Sequence, residues 1–206
     1  MKETCGSRYR KWYIAGVACP EGRYGKRLVR LMNILHAPFH RWVLRTGGFQ
    51  EKMSLLDIGA GGGGFASKLQ RFYPFADIAC CDVSPLSVEY IKGKVEGDVF
   101  LSSADKIRSG PESYDFVTAL DTVYYWEDLS ASFSEVLRVL KPGGVFLLGL
   151  EMTDQAMSQD WALASPSIWI RSVPELTDAL VKAGFTEVKA VKGRGTWTLL
   201  RALKKC

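Results

Sequence analysis

The chain has 206 residues, 47% of them hydrophobic, enough for one well-buried core and too few for two full-sized domains. A formal charge of +5, from 27 Lys and Arg against 22 Asp and Glu, is too mild to single out nucleic acid as a partner. Five cysteines with no C-x-x-C pair, only two histidines and no bilayer-length apolar run argue against a metal site and a membrane span.

The start Met1–Cys5 lacks a hydrophobic secretory segment, so reduced thiols and a cytoplasmic location are expected. Residues 1–24 carry Gly, Pro and isolated aromatics, among them Tyr9, Trp12 and Tyr13, and read as an irregular arm. Basic residues concentrate here and just beyond: Lys2, Arg8, Arg10, Lys11, Arg23, Lys26, Arg27, Arg30, Arg41 and Arg45 stand against Glu3 and Glu21 in residues 2–45. From Gly25 to Leu44 the apolar positions Leu28, Leu31, Met32, Leu35, Phe39, Trp42 and Val43 recur at steps that predict an amphipathic helix, bent near Pro38. This helix covers a sheet edge or, in a sharper reading, caps a ligand cleft. Asn33 and His36, three residues apart, share a similar face of it.

The stretch from Leu55 to Gly64 is an apolar strand that runs into Asp57 and five glycines. Gly59, Gly61 and Gly64 fit the dinucleotide fingerprint G-x-G-x-x-G, with Asp82 downstream as a ribose ligand, while Asp57, Gly59, Gly61 and Gly63 fit D-x-G-x-G-x-G. The loop alone does not separate these readings. A helix through Phe65, Leu69 and Phe72 ends before Pro74, and Asp77–Cys81 forms a second strand that ends at Asp82, completing a βαβ unit. Ser84 and Pro85 open the next helix as cap and first-turn residue. Gly97–Leu101 is a short third strand, and Tyr114–Asp121 a fourth that enters the aromatic run Tyr124–Trp126. A helix over Leu129–Leu140 is closed by a turn at Lys141–Gly144, and Val145–Leu150 is a fully apolar fifth strand suited to a covered parallel sheet. Residues 151–172 are long for a plain connection and read as a substrate-side loop. A helix over Val173–Ala183, stopped by Gly184, precedes a hairpin of Val188–Val191 and Thr196–Ala202 around Lys192–Gly195.

Taken together, D-I-G-A-G-G-G at 57–63, D-V-S at 82–84, S-A-D at 103–105, Y-D-F-V-T-A-L-D at 114–121, L-R-V-L-K-P-G-G at 137–144 and A-G-F at 183–185 resemble the class I (Rossmann-like) S-adenosylmethionine-dependent methyltransferases. The resemblance covers roughly residues 50–206. It implies an α/β three-layer Rossmann-like sandwich, with a mostly parallel seven-stranded sheet and a C-terminal antiparallel hairpin. Residues 1–48 would be an arm and cap helix on the cofactor-binding domain 49–206. It also implies S-adenosyl-L-methionine as cofactor, held by Asp57, Gly59, Ala60, Gly61 and Gly63 along its methionine part. Asp82 would take the ribose hydroxyls, Val83 and Ser84 would border the adenine, Ala104 and Asp105 would meet the adenine amine, and Leu120 and Asp121 would frame the sulfonium. Ala60 stands where many relatives carry Cys, and Gly62 and Gly64 are extra glycines that alter loop shape. Asp121-Thr122-Val123-Tyr124 departs from the N-P-P-Y tetrad of enzymes that methylate base or glutamine amide nitrogens.

Methyl transfer from a sulfonium is a direct displacement and needs positioning above all. His36 is the first candidate for a general base, because imidazole titrates near neutrality, with His40 behind it. Asp121 and Tyr124 complete the catalytic candidates, at the carboxyl-end crevice where open α/β sheets bind ligands. A small-molecule acceptor is the expected substrate, while the basic arm leaves an RNA or protein acceptor open. Monomer and homodimer both remain compatible with the sequence.

Overall fold

The computed structural model describes residues 16–17, 19–153 and 168–206. Of the irregular arm expected over residues 1–24, residues 1–15 and 18, with Tyr9, Trp12 and Tyr13, lie outside the described residues, as does most of the substrate-side loop, with Met157 and Trp161; Gly22, Arg23 and Tyr24 are not irregular but open the first helix.

Two helices open the described fold, α1 (Gly22–Leu35) and α2 (Ala37–Thr46). The remaining elements follow as β1 (Ser54–Ile58), α3 (Gly64–Phe72), β2 (Asp77–Asp82), α4 (Pro85–Lys92), β3 (Asp98–Leu101), β4 (Tyr114–Leu120), α5 (Leu129–Val139), β5 (Leu140–Leu150), α6 (Val173–Ala183), β6 (Phe185–Lys192) and β7 (Thr198–Lys204). The sheet order is β3-β2-β1-β4-β5-β7-β6. β1 to β5 pair in parallel, and β7 runs antiparallel between β5 and β6. This is the seven-stranded, mostly parallel sheet with a closing hairpin that the sequence predicts.

Alternation along each strand sends side chains into two cores, one on each face of the sheet. Leu56, Ile58, Phe146, Leu148 and Leu150 join Phe133 and Val136 of α5 and Leu176 and Leu180 of α6. On the other face Leu55, Val145 and Leu147 join Phe39 and Val43 of α2, Phe65 and Leu69 of α3 and Ile91 of α4. Coverage of both faces explains why β5 has no polar side chain between Val145 and Leu150.

The helix ends follow local chemistry. Ser84 caps α4 by accepting the Ser87 N–H at 3.3 Å, and Pro85 sits in its first turn. Asp128 caps α5. Ser172 and Glu175 form a capping box on α6, which stops at Gly184 with φ 108°. The break between α1 and α2 falls at His36, two residues before the expected bend, because Pro38 is accommodated in the first turn of a new helix. This break turns the His36 side chain toward the ends of β4 and β5.

Two expectations are corrected. Lys141-Pro142-Gly143-Gly144 is not a turn between helix and strand but the opening of β5, with Gly143 at φ 74° and a register shift opposite Tyr114 and Phe116. Lys141 stabilises this extension by reaching Asp115 and Ser54 at 3.0 Å. The hairpin strands are also displaced: β6 begins at Phe185, and Thr196 and Trp197 belong to the turn, where Trp197 packs on Phe39 and Trp42. Among the described residues, no helix is long and apolar enough to cross a membrane.

Candidate active site

The strand order reverses between β1 and β4, and the crevice at their carboxyl ends opens into a cavity of about 730 Å³, within the usual range for ligand pockets. The glycine loop forms one wall. Gly59, Gly61 and Gly63 all take positive φ, at 66°, 55° and 64°. A Cβ at Gly59 would collide with Thr122, whereas one at Gly61 would meet nothing, so Gly61 presents bare backbone. The loop's N–H groups are largely spent within the fold. Gly59 and Ala60 donate to the Cys81 carbonyl at 2.9 and 3.1 Å, Gly63 donates to Ala60 at 2.8 Å, and Gly61 donates to Asp82 Oδ2 at 2.8 Å. A pyrophosphate-binding loop needs such donors free, so the geometry favours a ligand without phosphates.

Asp82 sits opposite this loop at the end of β2, 7% exposed. Burial pushes its carboxyl up, and the N–H groups of Ser84, at 2.9 Å, and Gly61 pull it back. With the Val83 N–H also drawing on the carboxylate, lone-pair capacity remains for a ligand hydroxyl.

The far wall is built from three chain segments. Asp121, at φ 52° just past β4, accepts the Glu151 N–H at 2.7 Å and the Tyr124 hydroxyl at 3.1 Å on Oδ1. His36 Nδ1 bonds Glu151 Oε2 and lies 3.3 Å from Asp121 Oδ2. Burial disfavours the imidazolium, but the adjoining Asp121 and Glu151 outweigh it and push the pKa up to about 10. His40, stacked near His36 with ring centres 6.2 Å apart, goes the other way. Burial, reinforced by Lys68 and His36, lowers it to about 3.

A methyltransferase domain family matches residues 56–148. Phosphoethanolamine N-methyltransferase 2 of Caenorhabditis elegans is 25% identical over 156 residues, covering 71% of this chain and 36% of the relative. The ubiquinone/menaquinone biosynthesis C-methyltransferase UbiE of Desulfotalea psychrophila is 30% identical, covering 52% and 44%. The chain therefore spans less than half the length of these two relatives. Among solved structures, a SAM-dependent methyltransferase from Thermotoga maritima superposes with a TM-score of 0.73 at 20% identity, over 95% of this chain and 100% of that one. Residues 56–148 thus belong to a methyltransferase domain, set in the fold of the class I S-adenosylmethionine-dependent methyltransferases.

Within this methyltransferase domain, Gly59, Ala60, Gly61, Asp82, Val83, Ala104, Asp105 and Leu120 line the cavity together, as do His36, Asp121 and Tyr124. Three expected cofactor residues do not. Asp57 lies beneath the loop, 2% exposed, where it accepts the Thr118 hydroxyl at 2.7 Å and burial pushes its pKa up to about 7. Ser84 is fully buried, capping α4 and donating to the Pro20 carbonyl at 2.9 Å. Gly63 is the left-handed residue before α3.

The expectation that His36 titrates near neutrality is also corrected, since two carboxylates hold it as a cation. Tyr124 is 1% exposed, and its hydroxyl is engaged by Asp121 and by the Met152 N–H at 2.9 Å, so it positions Asp121.

Sequence reasoning missed Glu151, Thr122 and the contact of Asn33 with the loop. The first of these had one available signal, a carboxylate directly after an apolar strand at the ligand-binding edge. Ligand atoms of His36, Asp121 and Glu151 lie within 4.8 Å of one another, a spacing that a metal ion could share. Here His36 Nδ1 is engaged by the two carboxylates themselves.

Proposed function

We propose that this chain transfers the methyl group of S-adenosylmethionine directly, in line, to a small-molecule acceptor and releases S-adenosylhomocysteine. The observation that carries the reading is the shared cavity: Asp82 and the glycine loop stand at one end, and the His36, Asp121 and Glu151 group at the other. In-line displacement requires donor and acceptor in one volume with their reacting atoms near van der Waals contact.

The bound cofactor supplies a methyl group made electrophilic by its sulfonium. Asp82 accepts the ribose hydroxyls on lone pairs left open by Gly61 and Ser84. Val83 and Ala104, which line the cavity, would border the adenine, and Asp105 would receive its amine. Leu120 and Gly59 flank the methionine part, where the loop's left-handed glycines allow close approach. Asp121, held by Tyr124 and the Glu151 N–H, offers negative charge beside the sulfonium end. α1 lines the cavity with Val29, Met32 and Asn33, and Asn33 anchors it on the Gly62 carbonyl at 2.9 Å. This supports reading residues 1–48 as arm and cap of a single domain.

Calorimetric titration with S-adenosylhomocysteine, followed by a metabolite panel read out as S-adenosylhomocysteine release, tests the proposal. Absence of cofactor-product binding by the folded protein would overturn it. A second reading, an RNA or protein acceptor, rests on the exposed Arg23, Lys26, Arg27 and Arg30 of α1. Salt-sensitive RNA retention would favour an RNA acceptor.

A further inference from the structure

We infer that the acceptor is a small, non-phosphorylated amine that arrives as an ammonium ion and is received by the Glu151 carboxylate. The inference rests on the methyl-transfer reading above. Its first support is charge. One imidazolium on His36 faces two carboxylates, Asp121 and Glu151, which leaves the group one negative charge in excess. No Lys or Arg is among the described residues that line the cavity, while Glu127 and Asp128 add negative charge to the lining. Nearby cations are engaged elsewhere: Lys68 Nζ donates to the Gly64 carbonyl at 2.8 Å, and Arg171 donates to the Trp126 carbonyl at 3.0 Å. Among the described residues that line the cavity, a phosphate or carboxylate on the acceptor would meet no Lys or Arg.

The second support is the state of each oxygen. Asp121 Oδ1 receives two hydrogen bonds, and Oδ2 is buried against His36. Glu151 Oε2 is bonded to His36, but none of the described residues donates to Oε1, and the side chain is 22% exposed. Glu151 therefore holds the open acceptor of the group. Burial raises its pKa, opposed by His36 and assisted by Asp121, which makes it a stronger proton acceptor than an ordinary carboxylate. Tyr125, Trp126 and Trp197 line the same cavity, an aromatic setting that suits an organic cation.

The chemistry balances. The ammonium gives one proton to Glu151 Oε1 and becomes a neutral amine. Its nitrogen lone pair then forms the N–C bond as the C–S bond breaks, the electron pair of that bond remaining on sulfur. The product is a methylated ammonium ion beside a neutral thioether, and Glu151 returns its proton to solvent. Positive charge moves from sulfur to the acceptor nitrogen during the step, and Glu151, once it has released its proton, is again a carboxylate beside the methylated ammonium.

The test uses wild-type protein saturated with S-adenosylhomocysteine and titrated calorimetrically with two isosteric sets. One is 2-phenylethylamine, 2-phenylethanol, phenylacetate and 2-phenylethyl phosphate; the other is propylamine, propanol, propionate and propyl phosphate. In at least one set the amine is expected to bind about tenfold or more tightly than its alcohol, with the two anions weaker still. Glu151→Gln should abolish that preference while S-adenosylhomocysteine affinity stays within about twofold. Equal or tighter binding of an alcohol or anion in both sets, no amine binding in either, or an amine preference that survives in folded Glu151→Gln overturns the inference. The wild-type comparison decides even if the variant does not fold. Failure of S-adenosylhomocysteine itself to bind overturns the methyl-donor reading instead.

Discussion

Asn33 on α1 donates its amide N–H to the Gly62 carbonyl at 2.9 Å, and its side chain fills the space that Cβ atoms at Gly62 and Gly64 would require. The two extra glycines of the loop are thereby explained by the approach of a helix, and cap and cradle are mechanically joined. Gly62→Ala should cost about 1–3 kcal/mol through overpacking against Asn33 and Val29. Because Asn33→Ala removes the nearest obstacle, the double variant should recover part of that loss. Thermal unfolding and S-adenosylhomocysteine titration across the double-mutant cycle measure it, and strictly additive effects would show that the two residues are not coupled.

Asp82 has two tasks, and substitutions separate them. Alanine removes both the candidate ribose acceptor and the anchor of the Gly61 and Ser84 N–H groups, so S-adenosylhomocysteine affinity should fall by at least about tenfold and stability by about 1–3 kcal/mol. Asparagine retains one acceptor oxygen and should fall between wild type and alanine in both. Calorimetry on folded Asp82→Ala that returns the wild-type affinity would remove Asp82 from the cofactor site.

The sheet, the loop and the placement of Asp82 were legible because strand alternation and an acid at a strand end are local signals. The closing of the site was not. Glu151 meets His36 across 115 residues of sequence, and His36 becomes a fixed cation only because that encounter, together with Asp121, surrounds it with carboxylates. A histidine's ordinary titration range is therefore a poor guide until its neighbours are known. Lys141–Gly144 failed for a different reason: β5 already pairs with β4 at Leu140, so the P-G-G stretch is an irregularity inside the strand, held by Lys141 on Asp115, rather than a turn before it. Asp57 matched a motif position, yet its side chain turned to Thr118 under the loop.

That buried position makes Asp57 a pH-dependent liability. Its folded pKa, pushed up to about 7 by burial, exceeds the ordinary 3.8, so the folded state binds more protons than the unfolded state between these values. Stability should therefore fall as pH rises from about 4 to about 7 and then level off with respect to this group. Asp57→Asn keeps an acceptor for Thr118 and carries no charge, so its Tm should exceed that of wild type at pH 8 and converge with it near pH 4. Parallel Tm curves for the two proteins from pH 4 to 8 would contradict the assignment.

His36 reverses the sign expected of a buried histidine. Burial alone would lower its pKa, but Asp121 and Glu151 raise it to about 10 from an ordinary 6.5, so the folded state holds a proton that the unfolded state releases. The resulting stabilisation is fully present below pH 6.5, declines as pH rises and is lost above about 10. Its size is moderated by solvent, since the side chain is 27% exposed. His36→Gln leaves Asp121 and Glu151 facing each other without the cation, so the variant should be less stable than wild type at pH 6, with the gap closing toward pH 10. Once an acceptor is in hand, the wild-type rate profile should show no inflection near 6.5 from this residue, because an imidazolium clamped by two carboxylates does not serve as a base at neutral pH. Measuring Tm from pH 6 to 11 for both proteins separates the alternatives: a gap that is constant across the range would mean that His36 contributes packing rather than charge.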